Sequence, residues 1–353
     1  MTTEPYEEHT DGGPEAAASG RRSGEPPVAH GFADPTAGMV LHRVLARSAR
    51  TFLLNDPGDE PEDGGRRAGA VHALGLAMGP RPLWGLTDLE ALTGTARRED
   101  RTERIHQARV SMRRIRSNLR TYRLLLDPAW GTALRAELSW YGNELGRSRD
   151  LEILAGVVSE RGPEVLAPDE VARLLSLIDW KRDEVERVIS VEQAGPRRFR
   201  LTGEMMTLWD GPEFKAKADR GATDVLPPML HRAWHDLRGA GRRARRDPTD
   251  VHLHQLRIRL KDMRYGAETL ASVEGGKARR TAKAAERLQS KLGDHHDTVF
   301  SIQWLDALAG EHSDLADAAA RLAVVQRDVA ADTRKGWRHD LKDVERRWRS
   351  WQG

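Results

Sequence analysis

The feature that most constrains this chain is a helix motif written twice. Ile105-His106-Gln107-Ala108-Arg109-Val110-Ser111-Met112-Arg113-Arg114-Ile115-Arg116 returns as Leu253-His254-Gln255-Leu256-Arg257-Ile258-Arg259-Leu260-Lys261-Asp262-Met263-Arg264, displaced by 148 residues from His106 to His254. Ile105, Ala108, Met112, Ile115, Leu119, Tyr122 and Leu126 alternate spacings of 3 and 4, as do Leu253, Leu256, Leu260, Met263, Ala267 and Leu270. That alternation draws one apolar stripe down a helix. A second stripe is basic: His106, Arg109, Arg113 and Arg116 match His254, Arg257, Lys261 and Arg264. At about 100° per residue these four positions span an arc of roughly 80°, separate from the apolar one. Arg120 extends the first row, where the second copy has Glu268.

Stacking like charges at these spacings costs a helix a few tenths of a kcal/mol per pair, on the order of 0.2–0.5. A solvated charged face is the ordinary fate of such a run. Two rows in one register, each headed by histidine, point instead to an anion on that face.

A second element also recurs. Leu145-Gly146-Arg147-Ser148-Arg149-Asp150 matches Leu292-Gly293-Asp294-His295-His296-Asp297, displaced by 147. Each glycine is expected to end a helix as a C-cap, and Asp150 and Asp297 to fall where the next helix begins. An aspartate has the wrong sign to meet an anion. A supporting role is expected, either capping or holding an arginine of the row by a bidentate bond. Arg280, Lys283, Arg287 and Lys291 lie on one face of the helix entering Gly293, whereas the matching helix carries Arg135, Glu137 and Glu144. Arg242, Arg243, Arg245 and Arg246 complement a helix C-terminus. Arg346 to Trp351 reads as the docking surface of a last helix.

Periodicity predicts an all-α chain. Helices are expected at 37–54, 102–126, 130–145, 149–160, 168–192, 225–246, 250–272, 277–292, 296–310 and 313–347, with a connector at 193–223. Residues 1–34 are acidic and rich in Gly and Pro, and are expected to be disordered. Residues 55–67 read as a loop, and 68–100 give no clear pattern. Aromatics are 5% and charged residues 31%, which favours helix over sheet. The chain has no cysteine, so disulfides, thiolate metal sites and a cysteine nucleophile are excluded. With no signal-peptide pattern and no run of about 18 apolar residues, a cytoplasmic location is expected. The 57 Lys and Arg against 54 Asp and Glu leave +3, which alone names no partner.

The paired motifs resemble the CHAD family, an α-helical domain named for its histidines. The first is similar to that family's His-x-x-Arg-Val-x-x-Arg-Arg-x-Arg run. The second is similar to its His-x-x-Arg-Ile-x-x-Lys-x-x-Arg-Tyr run, ending here at Arg264-Tyr265. Both Leu-Gly-x-x-x-Asp elements fit, and the resemblance covers roughly residues 35–350. It implies two helical-bundle repeats, about 35–192 and 224–350, around a basic central surface that binds inorganic polyphosphate, and polyphosphate granules are an expected place of association. The implied ligands are His106, Arg109, Arg113, Arg116, His254, Arg257, Lys261 and Arg264, followed by Lys283, Arg287 and Lys291. Two departures stand out. The first repeat carries about 40 extra residues before His106. The Glu-x-Glu-x-Lys motif of an attached triphosphatase is absent from the sequence, so catalysis by that route is not implied.

No cofactor is implied. Neighbouring cations should depress the histidine pKa values and a bound anion raise them, so affinity should weaken as pH rises through about 6 to 8. Two other functions compete. His-Asp dipeptides at 235–236, 296–297 and 339–340 suggest a metal-dependent phosphohydrolase, although such a site needs further ligands from other helices. General nucleic-acid binding lacks interleaved aromatics for base stacking, and weak competition through phosphate contacts is the expected extent of it.

Overall fold

The computed structural model describes residues 34–56 and 101–352. The expected tail, the loop and the segment before His106 therefore lie outside the described residues, apart from their edges. The described chain forms helices α1 (Ala37–Asn55), α2 (Arg101–Thr121), α3 (Pro128–Arg161), α4 (Pro168–Gln193), α5 (Pro196–Asp210), α6 (Ala222–Arg246), α7 (Asp250–Glu274), α8 (Gly276–Glu311), α9 (Ala316–Thr333) and α10 (Trp337–Gln352). Short 3-10 turns join some of them, and the described residues include isolated bridges but no strand.

Local chemistry sets the starts. Thr36 accepts from the Met39 amide (3.2 Å), Asp127 from Trp130 (2.7 Å) and Thr249 from His252 (3.3 Å), so each side chain satisfies a donor of the first turn. Pro128, Pro168 and Pro196 occupy first helical positions, where a missing N–H costs nothing. The starts of α1 and α6 are tied together by Ala37 N–H to Arg220 O and Ala222 N–H to Pro35 O, both 2.9 Å. This bracing lets α6 begin three residues before its expected start, despite Pro227 and Pro228 within it.

All thirteen residues of the two apolar stripes are buried. Burying each Leu or Met of that set contributes about 1.5–3 kcal/mol. They belong to a large core formed by α1, α2, α5, α6, α7, α10 and the first parts of α3 and α8. A smaller core lies among α4, α9 and the far ends of α3 and α8, around Leu154, Ile178, Leu305 and Leu322. α2 packs against α7: Tyr122 donates to Gly266 O (2.8 Å), and Thr269 donates to Asn118 Oδ1 (2.8 Å). A Cβ on Gly266 would lie 2.5 Å from Leu230 Cδ1, so glycine sets the approach of α6 to α7. Trp348 stacks on Trp234 at 5.1 Å, and Trp348 and Trp351 are buried, so α10 docks as expected.

Three expectations need correction. The helix pairs at 130–145 with 149–160, and at 277–292 with 296–310, are single helices of 34 and 36 residues. Gly146 and Gly293 sit in their interiors rather than at C-caps, and Asp150 and Asp297 are mid-helix rather than at a helix start. The expected connector at 193–223 contains α5, whose Leu201, Met205 and Leu208 are buried. The single segment at 313–347 breaks at Gly336, where φ is +79°. That left-handed conformation suits glycine and separates α9 from α10.

Candidate anion-binding site

The two motifs occupy α2 and α7, and the Gly-x-x-x-Asp elements occupy the midpoints of α3 and α8, where each long helix passes from one core to the other. The glycines admit the arginines. A Cβ on Gly146 would lie 3.3 Å from Arg109 Nη2, and one on Gly293 would lie 3.5 Å from Arg257 Nε and Nη2. Each guanidinium therefore lies over a stretch of bare helix backbone.

Lys261 records the charge around it. Burial, then Arg257, Arg113, Arg116 and Arg109, push its amine down to about 7. This joins cations from both motifs and from both helices. Arg109 and Arg257 are themselves lowered, chiefly by burial, and Arg113 acts on both. Arg116 is lowered by burial and then by Arg120 and Arg135. Arginine remains charged in proteins, so these shifts express the cost of holding the charge rather than a titration.

That cost has no internal compensation by ion pairing. Among the described residues, no carboxylate lies within 4.0 Å of the cationic group of His106, Arg109, Arg113, Arg116, His254, Arg257 or Lys261. The Nε of Arg257, Nδ1 of His254 and Nε of Arg135 are buried without a hydrogen-bond partner. Buried polar atoms ordinarily have one.

The remaining cations of the two rows and of α8 differ. Arg120 pairs with Asp262 at 2.9 Å, and that carboxylate is 6% exposed. Arg264 pairs with Glu268 (2.8 Å) and Glu286 (2.6 Å). Arg287 and Lys291 reach α10, bonding Asp343 (2.6 Å) and Asp340 (2.5 Å). Lys283 is exposed, with no ion pair among the described residues.

The histidines lie at one end of each row. His106 is lowered by burial and by Arg113, with Glu103 opposing and Arg149 and Arg109 adding. His254 is lowered by burial, Arg257 and Lys261. His296 of α8 sits 4.5 Å from His254, ring centre to ring centre, and is lowered to about 4 by burial, Arg257, His254, Lys261 and His295. His296, Arg149 and Arg135 join the cation cluster and were not marked as ligands from the sequence. The signal was present: His296 and Arg149 occupy matching places in the second repeated element.

Asp150 and Asp297 share one electrostatic neighbourhood. Burial raises both. Arg109 then lowers Asp150 while Asp297 raises it, and Arg257 lowers Asp297 while Asp294 raises it. Neither forms a hydrogen bond to an arginine, so the expected bidentate support is not the geometry found. Their influence on Arg109 and Arg257 is through charge.

The three His-Asp dipeptides lie on α6, α8 and α10. Asp340 is paired with Lys291, and Asp236 lies 4.0 Å from Arg259. Among the described residues, no three His, Asp or Glu side chains are placed to hold a metal ion. No helix among them is long and apolar enough to cross a membrane.

The family model described as the CHAD domain matches residues 86–306, and the chain belongs to that family, which is known for polyphosphate binding. Uncharacterized proteins of Mycobacterium tuberculosis strains CDC 1551 and H37Rv are each 28% identical over 286 residues, 78% of this chain. The match spans about half (51%) of the length of those relatives. The fold is similar to the crystal structure of the CHAD domain from the plant Ricinus communis, with a TM-score of 0.63 and 19% identity, covering 91% of this chain and 97% of that one. It is also similar to PptA from Streptomyces chartreusis, with a TM-score of 0.55 and 20% identity, covering 90% of this chain and all of that one.

Proposed function

We propose that this CHAD-domain chain binds inorganic polyphosphate without catalysis, through duplicated helix faces on two tandem five-helix repeats, α1 to α5 and α6 to α10. The observation that carries the reading is Lys261 among four arginines of two helices, with no carboxylate pairing any of them. A linear polyanion supplies the missing charge. Arginine forks take phosphate oxygens in pairs, and lysine and histidine add point donors. His106, Arg109, Arg113, Arg116, His254, Arg257 and Lys261 make the direct contacts. His296, Arg149 and Arg135 extend them. Arg120, Arg264, Arg287 and Lys291 hold helices together through carboxylates.

Asp150 and Asp297 limit how much charge accumulates between Arg109 and Arg257 before the ligand arrives. They give the bare cluster a countercharge while leaving guanidinium edges free of hydrogen bonds.

The test is a calorimetric titration with polyphosphate at several salt concentrations, followed by competition with single- and double-stranded DNA of matched charge. Affinity should fall steeply with salt, because binding releases counterions. DNA should compete weakly. Preference for DNA would overturn the reading, and phosphate release from polyphosphate on adding divalent metal would overturn its non-catalytic part.

A further inference from the structure

Nine large apolar side chains are exposed among the described residues, and five of them fall on two successive helices: Trp180, Val188, Val191, Phe199 and Met206 on α4 and α5. From α6 to α10 only Val251 and Val324 are exposed, on different helices. A single exposed hydrophobic residue is ordinary, whereas a concentration of them marks an interaction surface. On α4, Trp180 is 56% and Val191 74% exposed.

The helix has two faces. Leu174, Ile178 and Ile189 are buried on the inner one. At about 100° per residue, Trp180, Glu184, Arg187 and Val191 share an arc of about 60°, centred about 140° round from that inner face. Their spacings of 4, 3 and 4 are those of a coiled-coil seam. Val188 flanks the stripe. Glu184 and Arg187, at its middle, are exposed, and neither has an ion pair among the described residues. Arg187 Nε donates to the Asp183 carbonyl of its own helix at 3.2 Å.

The stripe is complementary to itself. The midpoint between Trp180 and Val191 is also the midpoint between Glu184 and Arg187. Two copies of α4 laid antiparallel about that point set Trp180 of each against Val191 of the other. The same register sets Glu184 of each against Arg187 of the other. Parallel pairing would instead bring Glu184 to Glu184 and Arg187 to Arg187.

We propose that α4 is a dimerisation seam, joining two copies of this chain antiparallel about a twofold axis between residues 185 and 186. The contact is isologous, so one stripe serves both copies. The two Trp180–Val191 contacts supply the attraction, and the two ion pairs set direction and register. A seam of one helix per copy is smaller than a standard interface of about 1,600 Å², so the association is weak and concentration-dependent. It is also independent of what the cation cluster binds: α4 packs on α3 and α5 and carries none of the cations around Lys261.

The test is sedimentation equilibrium of the full chain from about 1 to 500 µM, the range in which a small interface associates. The apparent mass should rise with concentration from one chain, 39.5 kDa, towards twice that. In the dimer, Glu184→Arg alone or Arg187→Glu alone sets like charges against each other at both contacts. Each should weaken association at least about tenfold, and Trp180→Ala should do the same. All three positions are exposed, so the fold of each copy is kept. Mixing the Glu184→Arg protein with the Arg187→Glu protein restores two opposite-charge contacts in the mixed dimer. The mixture should therefore associate within a few-fold of wild type. A chain that stays at 39.5 kDa at every concentration overturns the proposal, another protein or another segment of the chain then being the cover for the stripe. A dimer indifferent to both charge reversals overturns it too, as does a mixture that stays dissociated.

Discussion

Arg257 and Arg264 lie seven residues apart in one basic row of α7, yet their surroundings differ. Arg264 is bonded to Glu268 and Glu286, whereas Arg257 has no carboxylate within ion-pair reach and a buried Nε without a partner. The first row repeats the contrast: Arg120 is paired with Asp262, while Arg109, Arg113 and Arg116 are not paired among the described residues. Residue type and helical spacing are therefore not sufficient to identify a ligand. In the proposed reading, what separates a structural cation from a binding one is whether the fold supplies its counterion.

The largest effect on stability should come from the paired group. Replacing Asp262 by alanine removes a nearly buried carboxylate facing Arg120 at 2.9 Å and Arg259 at 3.6 Å. Breaking a fully buried pair costs about 3–5 kcal/mol, and the partial exposure of both arginines reduces this to about 1–3. Chemical denaturation should show that loss, with polyphosphate affinity of the folded variant within a few-fold of wild type. A large affinity loss without destabilisation would place Asp262 in the wrong group.

A proton-linked effect should follow. A bound polyanion raises the pKa of every cationic acid in the cluster. Affinity is then highest below the free-state values and falls as pH rises toward the bound-state values. The free values are about 4 for His296, about 7 for Lys261, and below the ordinary 6.5 for His106 and His254. Affinity should decline across the whole interval from about pH 5 to 9, a wider window than 6 to 8. Lys261 extends it upward, and the burial of His296 extends it downward. Calorimetry at pH 7.5 in buffers of different ionisation enthalpy should detect net proton uptake on binding. No uptake with a flat affinity profile would contradict this coupling.

The smallest effect should come from Gly146→Ala. A methyl group there meets Arg109 Nη2 at 3.3 Å and must shift the guanidinium by a few tenths of an ångström. The helix interior gains about 0.5–1 kcal/mol from losing a glycine. Melting temperature should hold or rise while polyphosphate affinity falls several-fold. A parallel change in both would deny the glycine its role in seating Arg109.

Much of this architecture was legible in the sequence. The apolar stripes identified thirteen core positions on α2, the turn that follows it and α7, and all are buried. The helices were found, but not their continuity. Gly146 and Gly293 carry the usual mark of a helix end, and only the packing of Arg109 and Arg257 against them explains why glycine is placed mid-helix. α5 was missed because its glycines and flanking prolines outweighed the short stripe Leu201, Met205 and Leu208. In the site, spacing identified the rows but not their partners. Asp343 and Asp340 are far from Arg287 and Lys291 along the chain, and no local pattern ties α8 to α10. His296 was obscured by its place in a His-Asp dipeptide, although its match to Arg149 in the repeated element was visible.

The central claim is that unpaired cations bind and paired cations brace. Its most direct measurement is polyphosphate affinity, by calorimetry at fixed salt, for Arg109→Ala/Arg257→Ala against Arg120→Ala/Arg264→Ala. Both variants remove two charges from the same two rows. Charge-assisted contacts contribute about 1.5–3 kcal/mol each, so the first variant should lose at least about 100-fold in affinity with no loss of thermal stability. The second should lose thermal stability, with affinity of the folded protein reduced by less than about tenfold, as expected for screened, distant charge. Equal affinity losses in the two variants would contradict the account.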